Sequence, residues 1–249
     1  MHYAIFSLIG VMTGLLMALF GIGGGAFIVP ALDAAFLAVP SSTHPPFQLI
    51  VIGSLCTIVI GSMPRAIKVL ARGKNERRVA NILIISALPF ILLASLAATQ
   101  LADKSLRLGF SITIVLIGLW TLFGKTPSEK LVTNPIRPST YKLITVGAIS
   151  GISSALFGLG GATLLMPLLT MWVGLPIAIC VDISILFVSA TSIVSLTTLS
   201  SAWIGIHGAD SIDNTMLILI LILGVSAALT QTLAAGKLVK MRDSMRQRL

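Results

Sequence analysis

Phe20-Gly21-Ile22-Gly23-Gly24-Gly25 interrupts an apolar stretch that would otherwise run on as one long segment. Glycine tolerates positive φ and ends helices cheaply. The cluster therefore predicts a helix that stops, turns and restarts, with limbs over 4–20 and 22–37. The stretch is not alone. Gly10-Val-Met-Thr-Gly14-Leu-Leu-Met-Ala18-Leu19-Phe20-Gly21-Ile-Gly23-Gly24-Gly25 returns 137 positions later as Gly147-Ala-Ile-Ser-Gly151-Ile-Ser-Ser-Ala155-Leu156-Phe157-Gly158-Leu-Gly160-Gly161-Ala162. Pro30 falls on Pro167 without a gap, and ten of the 23 positions from Gly10 to Leu32 are identical to their partners. Two unrelated apolar segments would not align Gly, Phe and Pro together. The chain is an internal duplication.

Outside this element the pattern is one of long apolar segments, at 47–69, 79–101, 106–123, 143–158, 160–173, 177–202 and 214–235. About 20 apolar residues match the roughly 30 Å hydrocarbon layer of a bilayer. Of the 249 residues 56% are hydrophobic and only 10% charged, against about 25% charged in a soluble domain. Mean hydropathy is +1.03. Such a chain cannot present an ordinary water-facing surface. High Leu, Ile, Ala and Gly without alternation point to helical spans, not a β-barrel. The expected fold is an all-α integral membrane protein of two tandem, inverted helical repeats. Each repeat opens with a glycine-broken helix, giving about seven full transmembrane helices or nine helical segments. Residues 1–124 form the first repeat, 125–141 a cytoplasmic linker, and 142–249 the second repeat.

The net charge of +9 sits between the apolar spans. Arg65, Lys68, Arg72, Lys74, Arg77 and Arg78 crowd 65–78; Lys125, Lys130, Arg137 and Lys142 mark 124–142; Lys237, Lys240, Arg242, Arg246 and Arg248 mark the C-terminus. The positive-inside rule explains such clusters. No stacking aromatics are interleaved with them, so nucleic acid is not an expected partner. If each broken segment crosses the membrane once, the basic C-terminus falls outside, against the rule. If each forms two limbs that enter and leave on one side, the halves are inverted and every basic segment falls inside. Limbs of 16 or 17 residues are short for full crossings and favour the second solution. The loop with His207, Asp210 and Asp213 then lies outside. The N-terminal Met1-His2-Tyr3 lacks a basic n-region, so no signal peptide is expected. Trp120, Trp172 and Trp203 fall near helix ends, which suits an interfacial belt.

The doubled Ala-Leu-Phe-Gly-x-Gly-Gly element, one copy opening each half of a short hydrophobic chain, resembles the sulfite exporter TauE/SafE family. The resemblance is strongest over 10–32 and 147–169 and looser over Ser54 to Gly73, Leu93 to Phe123 and Ser184 to Gly208. It implies a secondary transporter or exporter in the cell (inner) membrane. The expected cargo is a small sulfur-containing anion: sulfite, sulfoacetate or another organosulfonate. Relative to the first half, the second ends at Leu249 in a basic segment matching 102–110, so a second half without a counterpart of the 106–123 helix is the expectation. An anion channel of the same architecture and a non-transporting membrane partner subunit are the alternatives. Small-residue faces permit a homodimer.

The residues agree with that implication. A helix restarting after a break exposes free N–H groups and a positive dipole end, and such an end binds anions. Breaks at corresponding positions of two halves are the best sequence pointer to a transporter's site. The candidate substrate-binding residues are Gly21, Gly23, Gly24, Gly25, Gly158, Gly160, Gly161, Ala162, Thr163 and Ser154. Thr13, Ser150, Ser153, Ser54, Thr57, Ser184 and Ser189 are nearby hydroxyls that can bond sulfonate oxygens or neighbouring helices. The Gly10/Gly14 and Gly147/Gly151 pairs, four apart, are assigned to close helix packing. An ionisable group in hydrocarbon is a functional candidate by default, so Asp182 and Asp33 are the candidate ion-coupling residues. Arg65 can attract anions or simply mark topology. No nucleotide-binding loop, His-x-x-x-His pair, Gly-x-Ser-x-Gly elbow or Cys/His pairing is present, so neither an enzyme nor a cofactor or metal is expected. Cys56 and Cys180 lie in apolar spans as small buried hydrophobes.

Overall fold

The computed structural model describes residues 2–20, 24–37, 45–71, 74–123, 138–208 and 214–246. Gly21, Gly23 and most of the 125–141 linker lie outside these. The described residues are all-helical: α1 (His2–Phe20), α2 (Gly25–Leu37), α3 (Phe47–Leu70), α4 (Lys74–Gln100), α5 (Asp103–Phe123), α6 (Thr140–Phe157), α7 (Ala162–Pro167), α8 (Ile177–His207) and α9 (Asn214–Arg246). A wider π-helical stretch, Leu168–Val173, continues α7 and closes on Gly174 in the left-handed conformation. α6 begins at Thr140, two residues inside the expected linker.

Six helices among the described residues are long and apolar enough to cross a membrane. Their outward faces are apolar as well. Along α5, Leu108, Ile112, Val115, Leu116, Leu122 and Phe123 are all more than half exposed, and only 11% of its most apolar window is buried. Water would not tolerate such a helix face; lipid does. The chain is an all-α integral membrane protein.

Both broken segments fold back on themselves. Phe6 near the start of α1 stacks edge-on against Phe36 near the end of α2, centroids 5.5 Å apart. In the second half, Lys142 near the start of α6 donates through Nζ to the Trp172 carbonyl at the end of the returning limb, 3.1 Å. Each segment is therefore a hairpin whose ends share a side. The outgoing limbs are longer than expected: at about 1.5 Å per residue, the 19 residues of α1 and the 18 of α6 approach the bilayer thickness. The returning limbs are shorter.

The hairpins interlock with the opposite half. α1 packs along α9, and α6 along α4. Gly10 faces Leu223 and Ser226, and Gly14 faces Ala227 and Thr230. In the same manner Gly147 faces Leu83 and Ser86, and Gly151 faces Ala87. At each glycine an added Cβ would strike the partner helix, so these four positions set the close approach of helix to helix. The partners also resemble each other: Leu83-Ile-Ile-Ser86-Ala87 on α4 matches Leu223-Gly-Val-Ser226-Ala227 on α9. α3 and α8 form the centre, in contact with each other, while α3 also packs on α9 and α8 on α4. α5 lies at the edge, its Phe110 set between Phe47 and Phe157.

One side of the bundle collects the end of α3, the starts of α4, α6 and α8, and the ends of α5 and α9. Lys68, Arg78 and Lys142 are there, with the basic end of α9. The opposite side holds the starts of α1, α3 and α5 and the end of α8. On that side Asp103 caps α3 by accepting from the Phe47 N–H. It also accepts from Arg107 Nε at 2.7 Å, and Arg107 Nη1 reaches Asp33 on α2 at 2.5 Å. Trp120 and Trp172 are part exposed near helix ends, whereas Trp203 is buried and stacks on His207, centroids 3.9 Å apart. Its position one turn before the end of α8 gives that ring a protein neighbour instead of a lipid head group.

Candidate functional site

The second break is fully described. Gly158 ends α6 in the left-handed conformation, φ 66°, with its N–H donating to the Ser154 carbonyl at 3.1 Å. Gly160 and Gly161 follow with φ of 64° and 77°. Three left-handed residues within four positions turn the chain through a hairpin no L side chain would favour. α7 then restarts, its Leu165 N–H bonded to the Gly161 carbonyl. Residues 158–162 are all buried in protein, the condition under which irregular backbone survives at membrane depth.

The first break turns in the same sense. Gly24 has φ 72°, and its carbonyl accepts from the Phe27 and Ile28 N–H groups at 2.9 Å as α2 begins. Gly25 then abuts the second break: a Cβ there would stand 2.5 Å from the Gly158 carbonyl oxygen and from Leu159 Cα. The two breaks meet in the middle of the protein. Gly160 sits against Ile58 of α3 and against Val188 and Ser192 of α8, near the midpoints of both helices.

Hydroxyls surround this meeting point. Ser54 donates to the Gly158 carbonyl at 2.8 Å and Thr191 to the Gly160 carbonyl at 3.3 Å. Ser154 and Ser195 share a hydrogen bond at 3.2 Å. Ser189 donates to the Ile185 carbonyl of its own helix at 2.7 Å, and its oxygen lies 3.1 Å from the Ser62 hydroxyl. Thr57, Thr13 and Ser153 are turned back on carbonyls of their own helices. Four further hydroxyl oxygens, those of Ser150, Thr163, Ser184 and Ser192, are buried without a hydrogen-bond partner among the described residues. Of these, Ser192 Oγ stands 3.1 Å from where a Cβ on Gly160 would be, and the Ser150 carbonyl oxygen 2.8 Å from one on Gly161. A buried hydroxyl left unbonded costs on the order of 1–3 kcal/mol. The groups closest to the break thus have capacity for an additional polar partner.

The expected substrate-binding residues fall into two groups. Gly24, Gly25, Gly158, Gly160, Gly161 and Ala162 are brought to the meeting of the breaks, with Ser154 bonded beside them and Thr163 in the first turn of α7. Gly21 and Gly23 lie outside the described residues. The expected ion-coupling residues are far apart in role. Asp33 is drawn into the Arg107 network at the end of α2. Asp182 lies in the first turns of α8 and acts electrostatically on Arg65 of α3.

Three hydroxyls on α8, Thr191, Ser192 and Ser195, were not singled out in the sequence. The repeat offset is 137 at the breaks but 140 from Leu83 to Leu223, so no single offset carried Ser54 onto a particular hydroxyl of α8. The Arg107 network had a weaker signal, the Asp103 and Arg107 spacing of one helical turn.

A family model described as sulfite exporter TauE/SafE matches residues 6–244. No curated protein and no solved structure matches the chain.

Proposed function

Since the chain belongs to the sulfite exporter TauE/SafE family, a family of membrane anion exporters, we propose that it is a secondary transporter of small sulfur-containing anions. Sulfite, sulfoacetate or a related organosulfonate is carried across the cytoplasmic membrane. The observation that carries this reading is the contact of the two breaks, Gly25 against Gly158 and Leu159, between the midpoints of α3 and α8. Broken helices that meet at membrane depth supply main-chain N–H groups to an anion without placing a fixed cation in the hydrocarbon. Hydroxyls then serve its oxygens. Ser192 and Thr163, buried with unused bonding capacity, are the proposed partners beside Gly160 and Gly161.

Asp182 is the proposed carrier of a coupling proton. Asp33 is held by Arg107, a partnership that suits anchoring the exit limb of the first hairpin. The basic side of the bundle is the proposed cytoplasmic side.

Uptake of labelled sulfite, sulfoacetate, thiosulfate, sulfate and lactate into proteoliposomes tests the proposal. Saturable uptake of a sulfur anion, lost when Gly24 and Gly161 are both replaced by bulky residues, is the expected result. Folded protein that carries none of these anions would refute it.

A further inference from the structure

Arg65 is a charge set within a membrane-spanning helix, an expensive placement that calls for a function. Its Nη1 lies 3.5 Å from the Met17 carbonyl oxygen and 3.4 Å from that of Ala18. Both carbonyls belong to the last turn of α1, the negative end of that helix's dipole. Both contacts are at the long end of a hydrogen bond, so the guanidinium is attracted there but not gripped. A guanidinium offers five N–H donors in a planar fork; among the described residues these two carbonyls engage only Nη1.

The position is next to the first break. The Met17 side chain lies 3.2 Å from where a Cβ on Gly24 would stand, and its sulfur the same distance from a Cβ on Gly61, one turn before Arg65. Asp182, entering from α8, attracts the same guanidinium. The repeat does not duplicate this couple. Between the offset of 137 at the breaks and that of 140 from Leu83 to Leu223, Arg65 falls within Ala202 to Gly205, which hold no cation, and Asp182 within Ser42 to Pro45, which hold no carboxylate. A residue needed only to pack the shared fold would be expected in both halves. This charge pair marks one side of one break.

We propose that Arg65 receives the anion on the basic side of the first break, with Asp182 standing in as its resident counter-anion until substrate arrives. The proposal rests on the transport reading above and adds to it the residue that selects for an oxyanion. The sulfonate or sulfite oxygens match the guanidinium fork in a two-point contact that an ammonium point charge cannot reproduce. They also replace two long contacts to neutral carbonyls with contacts to an anion. The entering anion competes with Asp182, so removing that carboxylate favours binding.

The test uses the whole protein in two forms, purified in detergent for thermal unfolding with methanesulfonate or sulfoacetate, and in liposomes for uptake kinetics. Arg65→Gln is expected to lose the anion-induced rise in unfolding temperature and to raise KM by about tenfold or more, the size of a lost charge-assisted contact, with Vmax retained. Arg65→Lys should fall between, and Asp182→Asn should bind the anions more tightly than wild type. Wild-type KM and wild-type stabilisation in Arg65→Gln would overturn the assignment while leaving transport intact. If Arg65→Gln does not fold, Arg65→Lys decides, an unchanged KM overturning the two-point contact. A wild-type protein that neither binds nor carries any of the anions would overturn the transport reading and this one together.

Discussion

Gly25 of the first hairpin and Gly158 of the second stand so close that a methyl group on Gly25 would come within 2.5 Å of the Gly158 carbonyl oxygen. The obstacle is backbone, which cannot rotate aside. Gly25→Ala should therefore push the two breaks apart and abolish uptake, with a loss of about 1–3 kcal/mol of stability from overpacking. Gly158→Ala meets Val51 at a looser 3.2 Å but needs φ of 66°, an expected cost of about 1–2 kcal/mol. Thermal unfolding and uptake on the same preparations check both. An active, wild-type-like Gly25→Ala would mean the breaks need not touch.

The glycines that seat α1 on α9 and α6 on α4 should behave as pairs. Gly10→Val and Gly147→Val each drive a branched side chain into the partner helix and should lower the unfolding temperature by similar amounts. Gly118, with nothing near its would-be Cβ on exposed α5, is the control: Gly118→Ala should be neutral or stabilise by roughly 0.5–1 kcal/mol.

Arg107 holds Asp33 and Asp103 together, and its guanidinium lies 5.5 Å from the Phe47 ring centroid. Arg107→Gln leaves two carboxylates facing each other and should destabilise by about 1–3 kcal/mol, less than a fully buried pair would because the side chains are partly exposed. Adding Asp33→Asn should recover part of that loss. A double-mutant cycle by thermal unfolding gives the coupling, and strictly additive effects would remove Asp33 from the network.

Asp182→Asn, while binding the anion more tightly, should end the stimulation of uptake by an imposed pH gradient. Unchanged gradient-driven flux would rule out Asp182 as the proton carrier.

Cysteines at Lys68 and Lys142 should label from one side of the membrane and a cysteine at Lys104 from the other, in a background lacking Cys56 and Cys180. Lys68 and Lys104 are both exposed at opposite ends of the bundle. Labelling of all three from one side would refute the inverted arrangement.

Most of the helical plan was legible because lipid imposes it. An apolar run must close its own hydrogen bonds, so the run and the helix coincide, as at 47–69 against Phe47–Leu70. The hairpins were legible too, through glycine and through the charge of the loops. What the sequence did not disclose is which residues meet across the centre. Ser54 bonds to a carbonyl 104 positions away, and no local pattern encodes that distance. The length of α1 and α6 was also hidden: the apolar runs read as limbs of 16 or 17 residues, short for full crossings, whereas each outgoing limb follows a neighbouring long helix for most of its course. The π-helical stretch after Pro167 left no sign that its aligned partner Pro30, inside α2, did not also show.

The packing of α1 on α9 has a consequence for biosynthesis. α1 takes its main partner from α9, which is made long after it, while α6 finds α4 already in place. Until α9 arrives, the glycine face of α1 has no permanent cover. Completion of the packing around the α1–α2 hairpin thus reports that α9 has been inserted. A nascent chain stalled before residue 214 should remain a substrate for the membrane's proteases, however well its middle helices have assembled.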